Sequence, residues 1–94
     1  MSDRQLRDLA GIGPAMLKDF ELLQVGSVDQ LAKQDPTVLY DDLCRLTGSR
    51  QDPCVLDTFC CAVAQARNPN LPAEQRNWWY WSRLRKAQRK AKKK

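Results

Sequence analysis

The residues best suited to bind a ligand lie in a short turn, Gly11-Ile12-Gly13-Pro14. Glycine can adopt a positive φ and lets another group approach the backbone, because it has no Cβ to clash. Proline suits the first position of a helix, and N–H groups left free at a helix start attract anions. The turn therefore predicts a phosphate site made by Gly11, Ile12, Gly13 and Ala15, with Lys18 one helical turn further on. A purely structural turn is the alternative.

The C-terminal stretch is strongly basic. It carries eight cations and no acid between residues 83 and 94, of which the first five are Arg83, Arg85, Lys86, Arg89 and Lys90. Such a stretch binds polyanions by releasing counterions, so its affinity falls steeply with salt. Like charges at helical spacing disfavour a helix, and we expect flexibility at least beyond Lys90. The alternatives are a solvated tail, a stretch that only traps contaminating RNA, or a tether to the acidic body of a neighbouring molecule.

Four aromatic residues at positions 78–81 precede the basic stretch. Aromatic rings beside cations can stack on unpaired bases, and Trp79 and Tyr80 are the candidates for this role. The spacing of Trp78 and Trp81 predicts instead that these two rings clamp the last helix onto the core. The two interpretations can hold together if only some of the rings are exposed.

The chain has four cysteines and no histidine. Cys54, Asp57 and Cys61 fall on one face of a predicted helix, which makes them the candidates for a metal site. Cys54 lies in the first turn, where the helix dipole favours the thiolate, so it is the candidate reactive thiol. Small buried apolar side chains are the simpler interpretation, and we predict no metal here. No catalytic constellation is present, which favours a protein that is not an enzyme.

These residues must be positioned by short helices, because the chain has clear helix-start signals and no alternating strand pattern. Helices are predicted to begin at Pro14, at Ser27, and at the pairs Asp35-Pro36 and Asp52-Pro53, where the aspartate is the N-cap and the proline is the first helical residue. Glycines at positions 26 and 48 are predicted to end two of them. A short helix carrying Leu6 and Leu9 is predicted to precede the turn. The helix that starts at Asp35-Pro36 has an apolar stripe of Leu39, Leu43 and Leu46.

The predicted fold is a compact all-α bundle of about five short helices, of the SAM-like or double-hairpin kind. We divide it into a helical domain over residues 1–70, a Trp-rich segment over 71–82 that packs on the domain, and a basic tail over 83–94. Residues 47–53 lie where a second hairpin would be, but they lack a pair of glycines. Ninety-four residues suffice for one domain with a modest core.

The turn and its flanking apolar residues resemble a helix-hairpin-helix motif. The resemblance implies DNA-backbone binding without sequence specificity, with Ile12 between the two helices and, in some members, a monovalent cation at the hairpin. Beyond the turn, the chain resembles the small bacterial pathogenicity-locus (Cdd1-like) proteins, some of which are labelled "mitomycin resistance". That second resemblance is carried by Leu39-Tyr40, Leu43-Cys44, Leu46-Thr47-Gly48, residues 51–57, Phe59, Cys61-Ala62-Val63 and the aromatic residues 78–81.

Charge is distributed unevenly. Residues 1–75 hold seven Lys or Arg and eleven Asp or Glu, a net charge of −4, whereas residues 76–94 hold nine cations and no acid, a net charge of +9. The acidic body is not what a DNA-binding face requires, since such a face is itself positive. From the glycine turn and the basic stretch we nevertheless predict a non-enzymatic protein that binds DNA without sequence preference. A role in repair or competence is implied only by the resemblance. The alternatives are a protein-interaction adaptor that uses the acidic body, and a thiol or metal sensor that uses Cys54 and Cys61.

No membrane span or secretory signal is predicted, so a cytoplasmic location is expected. The oligomeric state is left open.

Overall fold

Five α-helices and two short 3-10 turns make up the regular structure of the computed structural model, which describes residues 4–92 and their side chains as far as residue 87. No strand occurs in that part of the chain, so the predicted all-α class is confirmed. In chain order the elements are a 3-10 turn at Leu6–Asp8, α1 at Pro14–Leu22, α2 at Val28–Ala32, α3 at Pro36–Thr47, α4 at Pro53–Arg67, a second 3-10 turn at Ala73–Arg76, and α5 at Trp78–Lys92.

The predicted helix starts are confirmed by their capping contacts. The Asp35 side chain accepts a hydrogen bond from Thr37 N at 2.8 Å, and that of Asp52 accepts one from Cys54 N at 2.9 Å. A proline follows each aspartate at the first helical position. Ser27 caps α2 by accepting from Gln30 N at 3.1 Å. Each cap contributes about 1 kcal/mol by satisfying an N–H group that the helix leaves open.

Two predicted helix boundaries differ from the observed ones. The helix carrying Leu6 and Leu9 is a single 3-10 turn, although both leucines are buried. We predicted that Gly26 ends the helix α1, but α1 ends at Leu22, and the left-handed residue after it is Gln24, with φ of +61°. Gly26 N instead donates to Gln30 Oε1 at 2.6 Å, so this glycine serves the start of the next helix.

The helix α4 is the centre of the fold, because α2, α3 and α5 all pack against it. Phe59 of α4 meets Phe20 of α1 with ring centroids 5.6 Å apart, and both rings are fully buried. The buried residues of α3 are Leu39 and Leu43, but Leu46 is 58% exposed, so the prediction that it joins this stripe is wrong. Leu46 lies in the last turn of α3, next to Gly48, where the chain leaves the helix in a left-handed turn.

The helix α5 crosses the boundary that we predicted between a packed segment and a tail. Its backbone is helical to Lys92, although we expected flexibility beyond Lys90; residues 93 and 94 lie outside the described residues. Packing of α5 along α4 stabilises this helix against the repulsion between its like charges. None of the helices between residues 4 and 92 has the length and apolar character needed to cross a membrane.

Candidate nucleic-acid interface

The predicted phosphate site is an open turn that leads into α1. Gly11 has φ of +82°, which other residues adopt only with strain, and Gly13 is extended as the N-cap of α1. A Cβ at either glycine would have no heavy atom within 4 Å, so the turn is accessible from outside. Ile12 N donates to Leu9 O at 3.3 Å, and the Ile12 side chain packs partly buried against the core. The exposed residue Ala15 follows in the first turn of α1.

The side-chain amide of Gln65 holds this turn against α4. Ala10 N donates to Gln65 Oε1 at 2.9 Å, and Gln65 Nε2 donates to Ala10 O at 3.0 Å, so the amide pairs with both polar groups of one residue. Gln65 is only 4% exposed and also places Nε2 3.5 Å from Cys61 Sγ. The turn is therefore fixed by a buried contact made 55 positions away in the sequence.

Two arginines of the helical body stabilise helix C-termini. Arg4 donates to the carbonyl oxygens of Gln65 and Ala66 at 2.8 and 3.2 Å, near the end of α4. Arg67 donates to the carbonyl oxygens of Ala32 and Gln34 at 2.8 and 3.0 Å, at the end of α2. The last carbonyls of a helix attract cations because they lack partners within the helix. These guanidinium groups are consequently committed to the fold.

Lys18 lies in a mixed electrostatic environment. Its side chain is exposed and lines a cleft of about 430 Å³ together with Glu21, Leu22 and Gln24. Asp19, the next residue, is partly buried, and desolvation raises the pKa of its carboxyl group. Lys18 therefore has acidic neighbours on α1 that oppose an approaching phosphate, and the backbone of the turn is the stronger part of this candidate site.

Arg85 is a structural residue, which corrects its assignment to a free basic tail. Its Nε and Nη2 atoms donate to the two carboxylate oxygens of Asp57 at 2.8 and 3.1 Å. The Asp57 side chain is 1% exposed and that of Arg85 is 26% exposed. Hydrogen bonding to Asp57 raises the pKa of the Arg85 guanidinium. The pair attaches α5 to α4, and one of the predicted tail cations is therefore neutralised within the body.

The remaining described cations of α5 face solvent. The Arg83 guanidinium lies 4.6 Å from the centroid of the Trp79 ring, and its Nη2 is 4.0 Å from Glu74 Oε1. Lys86 is exposed on the next turn. The side chains of Arg89 and Lys90, the other predicted tail residues, lie outside the described residues. The basic surface that the structure describes therefore begins at Arg83 and continues to Lys86.

The aromatic residues divide differently from the predicted clamp. Trp81 anchors the start of α5, because its Nε1 donates to Gln75 O at 2.8 Å and its ring meets Tyr80 edge-on at 5.4 Å. Trp78 is 43% exposed, as is Trp79, so the expectation that Trp78 packs into the core is wrong. Trp78 is the first residue of α5, one turn before the point where Trp81 reaches the body. Two indoles are thus partly in water, and that of Trp79 lies beside the Arg83 guanidinium.

The three candidate metal ligands on α4 do not face a common point. Asp57 is paired with Arg85, and Cys61 Sγ is buried at 3.6 Å from Gln75 O. Cys54 is exposed, but a hydrogen bond to Asp52 raises the pKa of its thiol, opposite to the direction predicted from the helix dipole. No cluster of three or more potential ligands exists in the described part of the chain.

Sequence reasoning did not find the pairing of Asp57 with Arg85 or the role of Gln65. Asp57 and Gln65 are the polar residues on the buried, otherwise apolar side of α4. A charge or amide at such a position requires a partner, because burial without one is costly. That signal was available in the sequence, although the identity of each partner was not.

The fold and these contacts define a small all-helical domain with an acidic body, a glycine turn fixed to its central helix, and a basic terminal helix. The chain belongs to the Cdd1 pathogenicity-locus family, whose profile matches residues 2–87. It is also similar to the "Mitomycin resistance protein McrB" of Streptomyces lavendulae, with 38% identity over 81 residues that cover 86% of this chain and 73% of the relative. No solved structure matches the chain. The suspected family is therefore confirmed.

Proposed function

We propose that this protein binds DNA without sequence preference and acts by binding rather than by catalysis. The observation that carries the proposal is the separation of charge, with a net charge of +9 over residues 76–94 beside a body of net charge −4. The structure places most of these cations on one helix, α5, which is attached to the body by Arg85 and Asp57. A cationic helix that is held on the body at one end can lie along a phosphate backbone. Contacts with phosphates position a protein on DNA without reading its sequence.

The glycine turn supplies the second part of the proposed interface. Gly11 and Gly13 leave the backbone open, and the amide groups at the start of α1 carry the positive end of the helix dipole. Gln65 holds the turn in place before any ligand arrives, so little conformational entropy would be lost on binding. In this proposal the turn behaves as a helix-hairpin-helix motif in which a single 3-10 turn replaces the first helix. A monovalent cation at the hairpin remains a prediction.

The similarity to a named relative adds a cellular role to the proposal. One relative is named a mitomycin resistance protein, and we infer that this chain serves a similar protective purpose through DNA, in repair or competence. A cytoplasmic location and the absence of a cofactor are part of the same proposal. A protein partner on the acidic body is the second candidate, and it is favoured by the exposed apolar residues Leu22, Val38 and Leu46 on α1 and α3.

The test is binding of a fluorescent duplex, followed by anisotropy over a series of salt concentrations. Four or five phosphate contacts give a log–log slope of about −4, at roughly 0.9 per contact. Replacing the cations at positions 89, 90, 92, 93 and 94 with glutamine should make this slope shallower. If the full chain does not bind duplex at low salt, the proposal is wrong and the adaptor becomes the better hypothesis.

A second pair of variants tests the turn separately. Ala15→Glu adds an acid to the first turn of α1, where it is expected to stabilise the helix while repelling a phosphate. Ser49→Glu adds the same charge to the exposed loop between α3 and α4 and serves as the matched control. We expect Ala15→Glu to weaken duplex binding more than Ser49→Glu does. Equal effects would show that the turn is only structural and that α5 alone attracts DNA.

A further inference from the structure

The exposed indoles at the start of α5 add aromatic surface to the proposed DNA-binding helix. Trp78 and Trp79 are each 43% exposed, although tryptophan is a residue whose ring is usually well covered. Trp81, in contrast, is partly buried and hydrogen-bonded to Gln75 O. The fold therefore uses one indole of this cluster to anchor α5 and leaves two others in contact with water. We call Trp78 and Trp79 the indole pair.

The charges around the indole pair indicate which partner would cover it. Arg83 lies over the Trp79 ring at 4.6 Å, and Arg76, just before the helix, is exposed, as is Lys86 further along it. The acidic group described near this surface is Glu74, 4.0 Å from Arg83 Nη2. Arg83 also lines a shallow cleft of about 250 Å³ together with Tyr80 and Leu84. Aromatic rings, an arginine plane and surrounding cations together match a base and its phosphates.

We propose that the indole pair stacks on unpaired bases, so that the protein prefers single-stranded DNA, or a duplex with bases out of the stack, over intact duplex. The proposal rests on the proposed binding of DNA by α5 and adds the class of DNA that this surface selects. In an intact duplex the base faces are covered by their neighbours, so the indoles gain nothing from it. In a single strand each base exposes a face to an indole, while Arg83 and Lys86 lie within reach of the flanking phosphates.

The experiment uses the full chain and three ligands of equal length and similar charge density along each strand: oligo(dT), the same backbone with abasic sites, and a duplex. The measurements are anisotropy and tryptophan fluorescence. We expect oligo(dT) to bind about tenfold more tightly than the abasic strand, since only oligo(dT) carries bases that can stack on an aromatic ring. Tryptophan fluorescence should be quenched by oligo(dT) and not by the abasic strand.

Variants assign the effect to the indole pair. Trp78→Ala combined with Trp79→Ala should reduce the affinity for oligo(dT) to that for the abasic strand, whereas Trp79→Phe alone should keep most of it. Leu46→Ala, at a leucine of α3 that is 58% exposed, is the matched control for loss of exposed apolar surface. Circular dichroism confirms that each variant is folded. The quenching experiment needs no variant and therefore tests the proposal even if the double variant unfolds.

The outcomes separate this inference from the function on which it depends. If oligo(dT) and the abasic strand bind equally and neither quenches tryptophan, stacking is refuted while DNA binding by the cations stands. If no DNA binds at low salt, the proposed function fails as well. Sedimentation of the wild type and the double variant measures their oligomeric states and tests whether a second copy of the chain covers the indole pair. A dimer that disappears in the double variant, together with unchanged affinity for oligo(dT), would show that the indole pair contacts a second copy and would overturn the proposal.

Discussion

Arg85 and Asp57 form a two-point contact across the interface between α5 and α4, with Nε and Nη2 at 2.8 and 3.1 Å from the two carboxylate oxygens. The Asp57 side chain is almost completely buried, so its charge depends on this one guanidinium for compensation. The pair also borders a cleft of about 260 Å³ lined by Cys60, Trp81 and Leu84. The basic helix is thus attached to the acidic body by a partly exposed guanidinium paired with a buried carboxylate.

Replacing Arg85 should destabilise the protein strongly. Arg85→Met leaves the buried carboxylate of Asp57 without a partner, which is expected to lower the free energy of unfolding by about 3 kcal/mol. The double variant Arg85→Met with Asp57→Leu should recover most of this loss, because no charge then remains buried. Urea unfolding followed by circular dichroism measures both. Arg83→Met removes a cation paired at the surface and should change stability by less than ~1 kcal/mol. If Arg83→Met and Arg85→Met destabilise the protein equally, the buried pair has no special role.

The two glycines of the turn should respond differently to the same substitution. Gly11 has φ of +82°, so Gly11→Ser forces a left-handed conformation on a residue with a Cβ and should cost about 1 kcal/mol. Gly13 has φ of −100° and is the N-cap of α1, so Gly13→Ser should be neutral or stabilising, because serine caps helices well. Thermal unfolding should show a fall in Tm of roughly 4–8 °C for the first variant only. An equal fall for both would mean that the turn has a different conformation in solution.

The reactivity of Cys54 should be controlled by Asp52. Hydrogen bonding to this carboxylate raises the pKa of the Cys54 thiol. Asp52→Asn retains a capping side chain but removes the charge, so the pKa of Cys54 should fall and alkylation by iodoacetamide at pH 8 should accelerate. Burial raises the pKa of Cys60 to about 11, so its slow alkylation serves as the internal reference. An unchanged rate at Cys54 would contradict this account.

The carboxylate of Asp52 also makes the stability of the protein depend on pH. Hydrogen bonding to the backbone and side chain of Cys54 lowers the pKa of Asp52 in the folded state. The stabilisation from this cap is therefore fully present above the unfolded pKa of about 4, and it is lost as the pH falls through the lowered folded value. Asp52→Asn should remove this contribution to acid destabilisation. Unfolding midpoints of the wild type and the variant between pH 2 and pH 6, taken as a rough titration window for aspartate, provide the measurement.

Local chemistry was sufficient to predict most of the helical organisation. The pairs Asp35-Pro36 and Asp52-Pro53 specify helix starts within four residues of chain, because the aspartate side chain and the proline ring act on the adjacent backbone. The left-handed end of α3 at Gly48 is local in the same sense. The charge of each part of the chain is likewise a property of composition. The all-α class, the accessible glycine turn and the basic terminal stretch therefore followed from the residue order alone.

Tertiary packing decided which of the candidate residues are available to a ligand. Arg85 looked like one cation among eight, but its position on α5 brings it to Asp57, 28 positions earlier. Trp78 and Trp81 share a helical face, yet Trp81 donates to Gln75 O whereas Trp78 is 43% exposed. Gln65 fixes a turn 55 positions away. Such contacts depend on how whole helices cross, and helical spacing within one segment carries no information about the partner that will face it.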